Sequence, residues 1–260
     1  MQPALFLSHG SPMLVLEPCP ARDFLRGLGQ TLPRPDAIIV ASAHWQTAAP
    51  TLGSAENPPT IHDFYGFPQA LFRITYPAPG APALAARAAE LLAASGLPAQ
   101  LDPARGLDHG VWAPLILAWP QADIPVVPIA LQHGQSADFD GPAHHAALGA
   151  ALAPLRADNI LLLGSGSFTH DLRGLDRRGT DAPPDPITEA FSTWMDTNLR
   201  ANDRAALLDS RARAPDAARL HPTDEHLLPL FFAAGAGGAA TRIHSSSTYG
   251  SLRMDAYSFA

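Results

Sequence analysis

The chain has 260 residues, 47% of them hydrophobic and 16% charged, a balance that excludes general disorder and fits a folded globular protein. A formal net charge of -7 leaves no basic excess for phosphate backbones, so nucleic acid is not an expected partner and a small molecule is. A single cysteine, Cys19, cannot form an internal disulfide, no apolar stretch approaches the roughly 20 residues that span a bilayer, and Met1-Gln2-Pro3 does not open a signal peptide, so a cytoplasmic protein is expected.

The apolar run Ala4-Leu5-Phe6-Leu7 stops at Ser8-His9-Gly10-Ser11-Pro12 and reads as a buried strand entering a loop. Residues 21–32 suit a helix, and Ala37-Ile38-Ile39-Val40-Ala41 gives a second buried strand that leads into Ser42-Ala43-His44-Trp45. From Asn57 to Gly80, prolines alternate with aromatics in a long loop of the kind that usually carries function. Pro82 opens an Ala/Leu-rich helix that Gly96 ends.

Short strands are expected at 98–101 and 125–131, a helix at 142–156, and a strand at 159–163 that breaks at Gly164-Ser165-Gly166-Ser167, with His170 just beyond. Helices follow at 187–202 and from Asp224 to Ala234, and 240–257 reads as a closing pair of strands. No internal repeat or long linker divides the chain, so residues 1–260 form one α/β domain. Its sheet should be mainly parallel and covered by helices on both faces.

In such sheets ligands bind beyond the carboxyl ends of the strands. His9, His44 and His170 each follow a different predicted strand, so the fold gathers three distant histidines onto one edge. The chain has 11 histidines, and neutral imidazole is the commonest ligand of transition metals. One divalent metal is therefore expected there, with His9 and His44 as its leading ligands. A lone histidine is more often a surface or hydrogen-bonded core residue, and placement in Gly/Ser/Pro loops weakens that reading for these.

Either Glu225 or His226 of Asp224-Glu225-His226 could be the third ligand; on a helix the two would diverge by about 100 degrees, so only one would reach the ion. The alternative is an ordinary solvated helix start, capped on Thr223 or Asp224. Asp108-His109-Gly110 places a histidine in a turn before a helix, a weak signal by itself. His62-Asp63, in the aromatic loop, could orient a substrate or simply hydrogen-bond within the pair. His133, His144, His145, His221 and His244 read as surface residues. Gly164-Ser165-Gly166-Ser167 lacks the Lys-Ser/Thr ending of a P-loop and the full dinucleotide fingerprint, and there is no GxSxG nucleophile elbow.

Taken together, LFLSHGSP (5–12), SAHW (42–45), PPTIHDFYGFPQALF (58–72), YPAPG (76–80), LDHGVW (107–112), GSGSFTHDLR (164–173) and PTDEHLLPL (222–230) resemble the class III extradiol ring-cleaving dioxygenases, in the branch named for DOPA 4,5-dioxygenase. The resemblance covers nearly the whole chain in order. It implies cleavage of a catechol beside its two hydroxyls with both atoms of O2, at a mononuclear non-haem Fe(II), or a site holding Zn(II). It implies His9, His44 and His226 as metal ligands, His170 as a base or further ligand, and His109 as a histidine near substrate one layer out from the metal. Three histidines depart from the two-histidine, one-carboxylate pattern of many iron oxygenases. A zinc hydrolase on the same fold and a non-catalytic metal-binding protein are the alternative readings. Neither the particular catechol nor the oligomeric state is fixed by the sequence.

Overall fold

The computed structural model describes residues 1–134 and 139–260. Its ten strands are β1 (Ala4–Ser8), β2 (Ala37–Thr47), β3 (Thr51–Gly53), β4 (Gln100–Asp102), β5 (Val126–Gln132), β6 (Ile160–Gly166), β7 (Ala240–His244), β8 (Ser247–Thr248), β9 (Leu252–Arg253) and β10 (Ala256–Phe259). The helices are α1 (Pro20–Thr31), α2 (Pro82–Ala94), α3 (His109–Ala118), α4 (Gly141–Leu152), α5 (Pro186–Ala201), the short α6 (Arg204–Leu208), α7 (Ser210–Arg213) and α8 (Ala217–Leu220), and α9 (Leu228–Ala236).

Eight strands form one sheet in the order β4-β3-β5-β2-β6-β1-β10-β7. The central β5, β2, β6 and β1 run parallel, whereas β10 is antiparallel to β1 and β3 is antiparallel to β5. Every residue of β1, β5 and β6 is buried, as expected for strands covered on both faces. Alternation along the strands divides their side chains between two cores. Phe6, Ile39, Val127 and Leu162 meet α2, α4, α5 and α9 on one face. Leu7, Ile38, Val126 and Leu161 meet α1 and α3 on the other.

Three expectations need correction. β2 does not end before His44 but continues to Thr47. Its pairing with β5 runs to Ser42↔Ala130 and resumes at Gln46↔Leu131, so Ala43, His44 and Trp45 form a bulge. An irregularity of this kind re-aims a side chain without ending the strand. Likewise β6 runs through Gly164 and Gly166 instead of breaking there. A Cβ on Gly164 would meet the Pro229 carbonyl, and one on Gly166 the His226 carbonyl, so these glycines let the segment before α9 lie directly on the sheet. Finally, α9 begins at Leu228, leaving Glu225 and His226 in the turn that precedes it.

The end of the chain forms the expected pair, β7 with β10, and inserts the small β8–β9 hairpin between them. The 57–80 segment is mostly irregular, as read, with one short turn of helix at Leu71–Arg73. Among the described residues, no helix is long and apolar enough to cross a membrane.

Candidate metal centre

Each site histidine owes its place to a distinct local cause. His9 follows the last residue of β1, and its amide donates to the Gly166 carbonyl of β6 at 2.9 Å. The bulge in β2 turns His44 toward it, and the two Nε2 atoms stand 3.0 Å apart. His226 arrives from the turn laid over β6, where its carbonyl accepts from the Ser167 amide at 2.8 Å. Its ring lies 5.0 Å from that of His44 and 5.7 Å from that of His9, centre to centre. His170 stacks on His226 at 3.5 Å with the planes 11° from parallel.

His109 is the first residue of α3, and its ring centre is 3.9 Å from that of His44. The close approach requires Gly110, since a Cβ there would collide with Ser42 and press on the His44 ring. Beside it, the Ser42 hydroxyl donates to fully buried Asp108 at 2.6 Å. Asp108 in turn pairs with Arg105, whose guanidinium lies 4.7 Å over the Trp45 ring. Burial pushes the Asp108 carboxyl up and Arg105 opposes it. This network clamps the start of α3 to the bulged end of β2.

Asp63 completes this side. Pairing of Thr60 with Leu107, together with a 3.0 Å bond from Trp112 Nε1 to the Ile61 carbonyl, ties the aromatic loop to α3. Asp63 therefore accepts from both the amide and Nδ1 of His109, at 2.8 and 2.9 Å, and lies 3.4 Å from Nδ1 of His44. It is not paired with neighbouring His62, which binds the Ile74 carbonyl at 2.9 Å. Its partner lies 46 residues away, so local sequence offered no signal for the pairing.

Hydrogen bonding fixes the tautomers. The Ser165 hydroxyl donates to the Gly110 carbonyl, so at 3.0 Å it can only accept from His9 Nδ1, and the lone pair of His9 is on Nε2. The Glu225 carboxylate accepts from Nδ1 of His226 at 2.9 Å, so the neutral ring carries its lone pair on Nε2, which is buried and without a partner. An orphaned nitrogen of this kind calls for a ligand. For His44, one neutral tautomer turns a lone pair on Asp63 and the other turns it on the lone pair of His9. Burial first, then the neighbouring imidazoles, hold His9 and His44 well below the usual histidine range, so protonation does not relieve the conflict. A divalent cation facing the Nε2 atoms relieves it, and 3.0 Å suits two donors that each stand about 2.1 Å from one ion.

Possible donors fall into two groups, in each of which the ligand atoms lie within 4.8 Å of one another: His9, His44 and His109 in one, and His170, Glu225 and His226 in the other. The structure thus brings together every histidine expected at the site, and it sets His109 closer to His44 than its expected place one layer out suggests. Burial, then His226, pulls His170 down to about 3, and the hydrogen bond from His226 holds Glu225 at about 2 although burial opposes it. His145 and His221, read from sequence as surface residues, are in fact buried. Each is held by backbone groups inside the fold, which no local pattern reveals.

His44, His109, His170 and His226 form the floor of a cavity of about 470 Å³. Such a volume accommodates a small organic molecule. The arrangement offers neutral nitrogen donors to an ion beside a space for substrate.

The comparisons with known proteins match this geometry. Residues 3–257 fit the family model described as the catalytic LigB subunit of aromatic ring-opening dioxygenase. A "4,5-DOPA dioxygenase extradiol" of Beta vulgaris is 39% identical, over 98% of this chain and 95% of its own length. A protein of the same name in Escherichia coli K12 is 44% identical over 90% of this chain and 84% of its own. The crystal structure of an uncharacterized Escherichia coli K12 protein superimposes with a TM-score of 0.79 at 34% identity, covering 100% of both chains. With the match spanning sheet, bulge and histidine edge together, the chain belongs to the LigB family of aromatic ring-opening dioxygenases.

Proposed function

We propose that the chain is an extradiol dioxygenase that opens a catechol beside its two hydroxyls, using both atoms of O2 and one divalent metal held by His9, His44 and His226. One observation carries the ligand assignment. These three imidazoles converge, and each has its Nδ1 side faced by a protein group, Ser165, Asp63 or Glu225, while Nε2 is left for the ion. Orienting partners of this kind are the common support of metal-binding histidine. Glu225 accepts both the Nδ1–H of His226 and the Thr223 hydroxyl, at 3.0 Å, on the single oxygen Oε1, which makes it the group that orients His226 from behind. The names of the beet and Escherichia coli relatives bring the extradiol chemistry to this chain.

When bound, Fe(II) would supply a Lewis acid for the catechol oxygens and a route for electron density from ring to O2. The protein's own part is to hold the ring over the imidazole floor and to move protons. His109 is equipped to take a hydroxyl proton: Asp63 fixes its Nδ1–H, which leaves Nε2 to accept, and the same carboxylate stabilises the imidazolium that results. His170, lining the cavity and stacked on His226, is placed to share that work or to occupy a fourth ligand position. We also place the enzyme in the cytoplasm, in keeping with the expectation from its sequence.

The test is anaerobic reconstitution with Fe(II) or Zn(II), then a screen of catechols, DOPA and protocatechuate among them, with an oxygen electrode. Stoichiometric oxygen uptake and a ring-opened product with Fe(II) are expected. Absence of uptake from the Fe(II) protein with every catechol overturns the proposal, and metal-dependent hydrolysis of amides or esters would identify a hydrolase instead.

A further inference from the structure

The wall of the cavity contains a residue in an unfavourable backbone conformation. Tyr249, at the tip of the β8–β9 hairpin, has a φ of 52°. Bulky side chains rarely adopt that left-handed region, and a residue held there against its preference commonly marks a functional position. Tyr249 lines the cavity beside the histidines, and it also lines a small cleft of about 10 Å³ that it shares with Glu17. The tyrosine therefore stands between the substrate space and a carboxylate that does not itself line the cavity.

Three segments of the wall meet at this residue. Its hydroxyl donates to Glu17, 232 residues away, and the Glu17 amide donates to the carbonyl of wall residue Met13 at 2.8 Å. The Tyr249 carbonyl accepts from the Asp176 amide at 2.8 Å, which fixes the loop that carries wall residues Leu172 and Leu175. The neighbouring Gly250 carbonyl accepts from the Asp185 amide at 2.9 Å and holds the far end of the same loop. Leu252 continues the wall along β9. A hydrogen bond to an ionised carboxylate is among the stronger kinds, so Glu17 fixes the ring while the loop bonds fix the backbone.

We propose that Tyr249 and Glu17 act as one positioning pair that sets the shape of the wall and thereby determines which ring substituents the enzyme accepts. The inference rests on the dioxygenase reading above. With both catechol hydroxyls at the imidazole floor, the group that the ring carries meets the wall. A wall whose segments are tied together at one point is preorganised for a substituent of one size and direction. Tyr249 touches the substituent, and Glu17 acts through Tyr249. Neither belongs to the imidazole floor, so the effect falls on KM and not on kcat.

The Fe(II)-loaded full-length protein should be assayed for oxygen uptake with catechol, 4-methylcatechol, 4-tert-butylcatechol and DOPA. Tyr249→Phe keeps the ring but frees it from Glu17, and Glu17→Ala removes the same bond from the other side. In each variant kcat/KM for the best substituted compound, taken relative to that for catechol, should fall about tenfold through KM, on the order of one hydrogen bond to a charged group. The double variant should lower the ratio no further than either single one, and Glu17→Gln, whose amide oxygen still accepts, should restore it. Wild-type ratios in both single variants, equal losses on catechol and the substituted compounds, or effects that multiply in the double variant overturn the pair. Anaerobic calorimetry of the Zn(II) protein reads the same ratio in binding constants, and a ratio unchanged there by both variants also overturns it. Absence of uptake from the wild type with all four compounds removes the dioxygenase reading, while the calorimetric ratio still decides the pair.

Discussion

His226 and His145 are both buried histidines, yet their surroundings make them opposites. His145, in α4, donates from Nδ1 to the Gly141 carbonyl at 2.6 Å and accepts the Gln132 amide on Nε2 at 3.0 Å, so both nitrogens are used within the fold. His226 has only Nδ1 engaged, and its free Nε2 lies in a group of imidazoles that face one another. Burial by itself therefore does not mark a functional histidine. What marks one is a buried nitrogen that the protein supports from behind and leaves open toward other imidazoles; an unpaired nitrogen by itself is not enough, since buried His221 also has one at Nδ1.

The largest effect should come from removing the open nitrogens. His9→Ala, His44→Ala and His226→Ala are each expected to abolish tight metal binding and measurable turnover while the chain stays folded, as read by elemental analysis and circular dichroism. Metal held at wild-type stoichiometry and affinity in any of them removes that residue from the ligand set. The supporting carboxylate behaves differently: Glu225→Gln should keep the metal but weaken its affinity about 10-fold to 100-fold. If Glu225→Gln loses the ion while His226→Ala retains it, the carboxylate is the ligand.

Proton transfer comes next. His109→Ala should retain the metal and slow single-turnover ring cleavage by about 100-fold to 10,000-fold. His170→Ala should also depress turnover and, if that ring reaches the ion, release part of the metal. Cleavage at wild-type rates across pH 6 to 9 would show that neither imidazole moves a proton in the reaction. Asp63→Asn is expected to cost less, about 10-fold to 100-fold, because it weakens the hold on His109 and His44 without removing either ring. Full activity of that variant would leave Asp63 a purely structural partner.

On the other side of the comparison, His145→Ala should leave metal content and kcat unchanged and alter only stability. Burial lowers His145 from 6.5 to about 4, so the folded state takes up its proton later than the unfolded chain does. Its contribution is whole above pH 6.5 and is lost as pH falls from there to about 4, a change of about 3 kcal/mol at 1.36 kcal/mol per unit. Urea unfolding at pH 7 and pH 4.5 should show the wild type losing more stability than the variant over that interval. Parallel losses would show that His145 is not held neutral by the fold.

Much of this was legible in the sequence because it depends on local pattern. Continuous apolar runs marked β1, β5 and β6, Pro and Gly bounded α2, and the strand-end rule gathered His9, His44 and His170 at one edge. Periodicity failed where tertiary contacts overrule it. The run from Asp224 looks helical throughout, but the chain must first cross β6 at Gly164 and Gly166, and that crossing holds Glu225 and His226 in a turn.

The residue types at the candidate site were determined by the sequence alone: histidines at strand ends, a histidine after Asp108 and an acidic pair before an apolar helix. Only the tertiary structure decided how they are used. A bulge in β2 aims His44 at His9, Asp63 reaches His109 across a loop, Ser165 and Glu225 fix tautomers, and the walls of the cavity come from segments remote from one another in sequence. Hydrogen-bond direction and cavity polarity depend on which groups meet in space, and that pairing arises from packing across the whole sheet.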